Sequence, residues 1–248
     1  MRYTRILGLA MAFGLALAGS IFAANQASDA ATLAGIQDKV YHSKAFRHGD
    51  VQVAYDHGVA TLTGTVDNLG AKLDAERAAR KADGVTQVVN KIRVYADDTT
   101  SRQVLEMARK KVVMYHAFGV FDNVTLRADG DRLIVGGQVT EPFKKSDLGN
   151  ILSRVRGVAR VENNLEVLPL SGFDDRLRLQ VARAIYGDSY FLRYGNQANP
   201  PIHIIVKNGN VTLEGVVASA MDRTRAAMAA RSAGLSFSVT DNLRVDQG

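Results

Sequence analysis

The sequence predicts an α+β fold: three tandem αββαβ modules, each a three-stranded mixed sheet with two helices on one face. Three observations lead there. A strand–turn–strand segment is written three times, as DVQVAYDHGVATLTGTV (Asp50 to Val66), NVTLRADGDRLIVGGQV (Asn123 to Val139) and PIHIIVKNGNVTLEGVV (Pro201 to Val217). The copies overlay without a gap, and Gly64, Gly137 and Gly215 coincide. A fixed internal period sets the architecture before any single residue can set chemistry. Each copy is also flanked by helical apolar spacing on both sides and followed by a third apolar stretch. A strand–helix–strand connection of that kind is a right-handed parallel crossover, which makes the sheet mixed.

Residues 1–24 are set aside as a signal peptide. Arg2 and Arg5 form a basic start, Ile6 to Ala18 is apolar, and small residues follow at Ala18–Gly19–Ser20 and Ala23–Ala24. That order is the one an export signal requires, and the apolar run falls short of the ~20 residues of a spanning helix. Cleavage near Ser20 or Ala23 is expected. The chain has no cysteine, so it has neither disulfides nor the thiol needed for lipoprotein anchoring. The expected product is exported and periplasmic. Without Arg2 and Arg5 the formal charge of +6 falls to about +4, a mild attraction for anionic surfaces that does not demand nucleic acid.

The first module spans 30–96. Leu33, Ile36 and Val40 recur at helical spacing, Val51, Val53 and Tyr55 alternate as a strand, and Asp56–His57–Gly58 makes the turn. Val59 to Val66 is the second strand, Ala71, Ala75, Ala78 and Ala82 are the small-residue face of a second helix, and Val85 to Val94 is the third strand. The second module, 100–168, opens with a helix lined by Leu105, Ala108, Val112 and Tyr115. Its Pro142 falls where a first helical turn tolerates it. The third module, 173–246, contains Asn208–Gly209, suited to a two-residue turn with positive φ. Arg193 to Pro200 reads as an inserted polar loop. The linkers Ala96 to Thr100 and Pro169 to Gly172 are short, so neighbouring modules are expected to pack together. The recurrent glycines read as packing devices, placed where a side chain would collide with the crossover helix or its loop.

The pattern V-x-V…(D/N)G-x-V-x-L-x-G-x-V, then a basic–alanine helix, then GV-x-x-V-x-N-x-L-x-V resembles the BON domain (bacterial OsmY and nodulation), in three copies over essentially the whole mature chain. HGVATLTGTV with GVTQVVNKIRV is the best match, LIVGGQV with GVARVENNLEV follows, and GLSFSVTDNLRV departs most by lacking the Gly-Val step. The resemblance implies an exported envelope protein associated with osmotic stress, phospholipid binding or chaperone-like work.

Catalytic patterns are missing: no cysteine nucleophile, Gly-x-Ser-x-Gly elbow, His-Glu-x-x-His or P-loop. The chain is read as non-enzymatic, with no cofactor. His42, His48, His57, His116 and His203 would need to converge with a carboxylate such as Asp50 or Asp56 to hold a metal, and the spacing does not require it, so no metal is expected. His203 reads as an outward-facing strand residue, solvated or paired. Asp97–Asp98 and Asp174–Asp175 read as helix-start carboxylates.

The basic residues carry the functional expectation. Arg102, Arg109, Lys110 and Lys111 share the second module's first helix, followed by Tyr115, His116, Phe118 and Phe121. Cations along a helix with aromatics at its end suit an anionic bilayer surface, and the resemblance implies the same. The competing reading closes the core with the aromatics and leaves a solvated basic face. The expected lipid-binding set is Arg102, Arg109, Lys110, Lys111, Tyr115 and Phe118, in peripheral contact only. Expected partners are anionic phospholipid or envelope proteins, not nucleic acid. The alternative function is a periplasmic holdase, favoured by apolar residues such as Met221 and Met228 on the second helices.

Overall fold

The computed structural model describes residues 28–96, 99–234 and 236–246. The expected signal peptide and the Asp97–Asp98 pair lie outside the described residues. The chain divides into two compact units, 1–97 and 98–248. The first holds one αββαβ module and the second holds two.

In the first module a helix over 28–41 (α1) leads through a 3-10 turn, Lys44–His48, into β1 (Gly49–Asp56) and β2 (Val59–Val66). Helix α2 (Leu69–Arg80) crosses back to a third strand in two pieces, β3 (Gln87–Asn90) and β4 (Arg93–Val94). Strand β2 is central, antiparallel to β1 and parallel to β3 and β4. Asn68 starts α2 by accepting a hydrogen bond from the Ala71 amide at 2.9 Å. The buried face of α2 is Ala71, Ala75 and Ala79, with Ala82 just beyond the helix. Ala78 is only half-buried; the spacing of four runs on to Ala79 instead. Methyl-sized side chains let the helix lie close against Leu62, Val66 and Ile92 in the core.

The second module repeats this with α3 (Ser101–Val113), β5 (Asn123–Asp129), β6 (Arg132–Val139), α4 (Pro142–Leu152), β7 (Arg160–Asn163) and β8 (Glu166–Val167). Thr100 and Gln103 form a reciprocal capping box at the start of α3. Pro142 occupies the first turn of α4, as its missing N–H allows. The third module has α5 (Gly172–Tyr186), a 3-10 turn Ser189–Phe191, α6 (Leu192–Gly195), β9 (Ile202–Lys207), β10 (Asn210–Val217), α7 (Ala220–Ser232), β11 (Ser238–Asp241) and β12 (Arg244–Val245). Asn208 and Gly209 both take positive φ, 51° and 75°, as the turn requires.

Three features depart from the sequence reading. The third strand of every module is broken. Its Asn90, Asn163 or Asp241 side chain accepts a hydrogen bond from the amide two residues on (Ile92, Leu165, Leu243; 3.0–3.3 Å), turning that aliphatic residue into the core. The Asn90 and Asn163 amides also donate to the Lys72 and Lys145 carbonyls of the crossover helix. Second, the glycines do not yield to the crossover helix. A Cβ on Gly64, Gly137 or Gly215 would lie 2.2, 2.1 or 1.9 Å from the carbonyl oxygen of Asp50, Asn123 or Pro201, at the start of the neighbouring first strand or just before it. All three adopt φ above +100°, so the obstacle is the paired strand's own backbone.

Third, Arg193 to Pro200 is not simply a polar loop. Its start lies in α6, where Tyr194 is buried and stacks at 6.1 Å on the fully buried Phe191. The Tyr194 hydroxyl donates to the buried Asp222 carboxylate at 2.8 Å, and Arg193 pairs with the same carboxylate. Asp174 likewise does more than flank a helix. Ser171 caps α5, while the Asp174 carboxylate accepts the Asn208 and Gly209 amides, both at 2.8 Å, and pins the hairpin to the helix.

Candidate functional site

Helix α3 carries four cations, Arg102, Arg109, Lys110 and Lys111, against one carboxylate, Glu106. Seven- and four-residue steps place Arg102, Arg109 and Val113 on one exposed stripe, flanked by Lys110 and by Met114 just past the helix. Lys111 falls off that stripe, half-buried on the flank of the module's packed side. Among the described residues no side chain of the four cations makes a hydrogen bond or ion pair. Other basic clusters differ: Arg77 pairs with Asp74, Arg80 with Glu76, Arg132 with Asp129, Arg160 with Asp131, Arg223 with Asp241 and Arg225 with Asp188. Unpaired cations keep their full field for an external anion.

The aromatics after α3 go elsewhere. Tyr115 is buried in the second module's core, and its hydroxyl donates to Asp147 at 2.7 Å. Burial first, and then that bond, push its pKa up to about 12. Phe118 is half-buried, its ring 5.4 Å from that of His203. Tyr115 is therefore not placed to sit among lipid headgroups, while Phe118 lines a groove with Arg109 and Val113. The exposed apolar groups at this end are Val113 (46% exposed) and Met114 (72%). Sequence reasoning missed both, because an apolar pair beside core positions has no distinguishing pattern.

The segment after α3 instead joins the second and third modules, which pack together as the short linker led us to expect. The Val120 carbonyl accepts the Ile204 amide of β9 at 2.7 Å, and Phe121 packs against the third module's core. Asp122, fully buried, accepts the Gly119 and Thr140 amides and pairs with Lys144 at 2.8 Å. His203, read from sequence as outward and solvated or paired, faces this junction. Its Nδ1 is buried without a partner, and burial holds the imidazole below its ordinary value, against smaller opposing pulls from Gly119 and Asp122. Between the two modules runs a groove of about 610 Å³, with Arg109 and Arg244, Val113, Phe118, His203 and Val216 in its lining.

A smaller groove of about 460 Å³ lies in the first module, between the end of α1, the 3-10 turn and the outer edge of β1. Val40, Tyr41, Phe46, Val51 and Val53 line it. On the same module, His57, Asp56 and Asp29 bring one donor atom each within 4.8 Å of one another, at a solvent-exposed hairpin tip. His57 is already paired with Asp56, at 2.5 Å. His42 and His48 face Asp38 and Asp67. No helix among the described residues is long and apolar enough to cross a membrane.

Comparison with known proteins agrees with the repeat. A family model described as BON domain matches residues 28–96, 120–169 and 174–247. An uncharacterised protein encoded in the gshII 5′ region of Anaplasma centrale is 29% identical over 128 residues, which is 48% of this chain and 85% of that protein. Two solved structures of CdsD, a structural protein of the type III secretion system of Chlamydia trachomatis, match at 13% and 16% identity. Each match covers 86% of this chain, and 96% or 90% of the other, with a TM-score of 0.23 in both cases. At that score the chains do not superpose as wholes, and the likeness carries no argument.

Proposed function

The chain belongs to the BON domain family, and from that premise we propose that it is a non-enzymatic envelope protein that docks peripherally on anionic phospholipid through helix α3. The observation that carries this reading is the stripe of Arg102, Arg109 and Lys110, unpaired within the described residues and flanked by the exposed Val113 and Met114. Each cation near an anionic leaflet contributes about 1 kcal/mol, and a shallow apolar contact beside them adds to it. Family context supports it, since BON domains are typical of periplasmic or envelope proteins and are generally non-enzymatic. In this reading the buried Tyr115 lies outside the contact set, and the half-buried Lys111 and Phe118 lie at its margin.

The test is co-sedimentation with phosphatidylglycerol or cardiolipin vesicles across a salt series, with phosphatidylcholine as the neutral control. Binding should weaken steeply with salt and fall at least tenfold in Arg109→Glu/Lys110→Glu. Equal binding to neutral vesicles, or an unaffected double variant, would overturn it.

A holdase for unfolded envelope proteins is the second reading. Met221 (66% exposed) and Met228 (62%) stand out on α7, and Phe237 is 79% exposed beside Phe173. Flexible thioethers and exposed rings suit varied apolar clients. Suppressed aggregation of an unfolded outer-membrane protein without lipid, lost in Met221→Lys/Met228→Lys, is the outcome it requires.

A further inference from the structure

The first and third modules treat the same place on their surface differently. In the third module the outer edge of β9 is not bare. The Val120 carbonyl pairs with the Ile204 amide, and Phe121 joins a core that includes Ile185 and Ile202, with Tyr186 packed against it. The tight turn Gly119–Asp122, closed by the Asp122 amide on the Gly119 carbonyl at 3.1 Å, thus docks on the sheet edge through one main-chain bond from its second residue and one half-buried aromatic ring on its third.

The register identifies the same position in the first module. Ile204 lies opposite Leu213, four residues before the two-residue turn, and Val53 lies opposite Leu62, four residues before its own. In an antiparallel pair the amides alternate between the partner strand and the outside. The Ile204 amide points outward to Val120, so the Val53 amide points outward at the equivalent site. The surroundings correspond as well. Val40–Tyr41 and Ile185–Tyr186 are the matching pairs near the ends of α1 and α5, and a 3-10 turn follows each helix. In the first module this place is the groove of about 460 Å³, with Tyr41 60% and Phe46 39% exposed, their ring centroids 4.7 Å apart.

We propose that this groove is a polypeptide-binding site. It takes a tight turn of a client protein, the carbonyl of whose second residue accepts the Val53 N–H and whose third residue is aromatic, seated among Val40, Tyr41, Phe46 and Val51. The third module supplies the seated example and fixes the ligand's chemistry: one carbonyl and, immediately after it, one ring. The site shares no residue with the basic face of α3, so the two readings fail independently.

The test uses the full-length protein and a capped peptide of the sequence Ala-Phe-Gly-Val-Phe-Asp, copied from residues 117–122. Titration followed by amide and aromatic NMR should shift the Val53 amide and the Tyr41 ring. A peptide with serine in place of both phenylalanines should bind at least tenfold more weakly. Tyr41→Glu, at an exposed position, should remove peptide binding while leaving the fold and vesicle binding intact. Absence of a Val53 shift, or equal binding of the serine peptide, overturns the proposal. A concentration-dependent dimer that Tyr41→Glu dissolves, without any peptide-induced shift, would assign the groove to a second copy and overturn it too.

Discussion

The Lys144 ammonium lies 2.8 Å from the Asp122 carboxylate, and that carboxylate is 1% exposed. The same two oxygens accept the Gly119 and Thr140 amides, so Asp122 ties the segment that joins the second and third modules to the end of β6. Removing one partner of a buried pair strands the other. Lys144→Met leaves the buried Asp122 charge unpaired and should destabilise the second unit by about 3–5 kcal/mol, and Asp122→Ala, which leaves a lysine closer to water but unmatches the Gly119 and Thr140 amides, by about 1–3 kcal/mol. Urea unfolding followed by tyrosine fluorescence measures both. Equal, small losses would show that the pair contributes little.

Alanine at the recurrent glycines meets two obstacles, a carbonyl oxygen at about 2 Å and a positive φ. Gly137→Ala should cost about 3 kcal/mol or more, because the strand pair must separate to admit the methyl. Gly35→Ala is the counter-example. Gly35 is exposed on α1 with nothing near its added Cβ, so alanine should stabilise by about 1 kcal/mol. Thermal melts by circular dichroism should move in opposite directions for the two variants.

Acid should loosen the second unit. The His203 imidazole is held below its ordinary 6.5 chiefly by burial, so the folded state resists protonation that the unfolded state accepts. Stability is therefore full above pH 6.5 and is lost as the pH falls through the lower folded value. The residue also faces Phe118 from β9, with Asp122 and Glu214 the acidic groups acting on it and Arg109 and Arg244 in the same groove lining. His203→Gln should flatten the stability profile between pH 7 and 5. A profile unchanged by the substitution would remove His203 as its cause.

Tyr115 and Met114 are neighbours with opposite fates. Tyr115→Phe deletes the bond to Asp147 and should cost about 1 kcal/mol, leaving vesicle binding unchanged. Its phenol, at about 12, should be absent from the absorbance titration near pH 10. Because the folded phenol holds its proton more tightly, this contribution is full below pH 10 and fades as the pH rises toward 12. Met114→Asp should do the reverse, sparing stability and weakening sedimentation with anionic vesicles.

The architecture was legible because strand alternation, turn chemistry and the gapless overlay of the copies all report the same backbone. Asn208–Gly209 and Pro142 could be placed from local rules alone. The strand break was signalled too, by the recurrence of Asn or Asp two residues before Ile92, Leu165 and Leu243, but a run of β-formers masks a side-chain turn. What could not be read was which aromatic belongs to which module. Tyr115, Phe118 and Phe121 stand within seven residues, yet one serves its own core, one the junction and one the next module's core. That allocation depends on contacts made far along the chain. His203 was misplaced for the same reason: alternation puts it on the outer face of its sheet, and only the neighbouring module makes that face an inside.

Phe121 sets the smallest piece of the second unit that can stand alone. A protease or an engineered stop within Pro169–Gly172 would not release two finished domains. The upstream fragment would carry a bare ring and an unmatched carbonyl, and the downstream one a hollow core with an open strand edge. The two halves would be sticky toward each other and toward neighbours, so the pair, not the single module, is the part that can be moved into another protein.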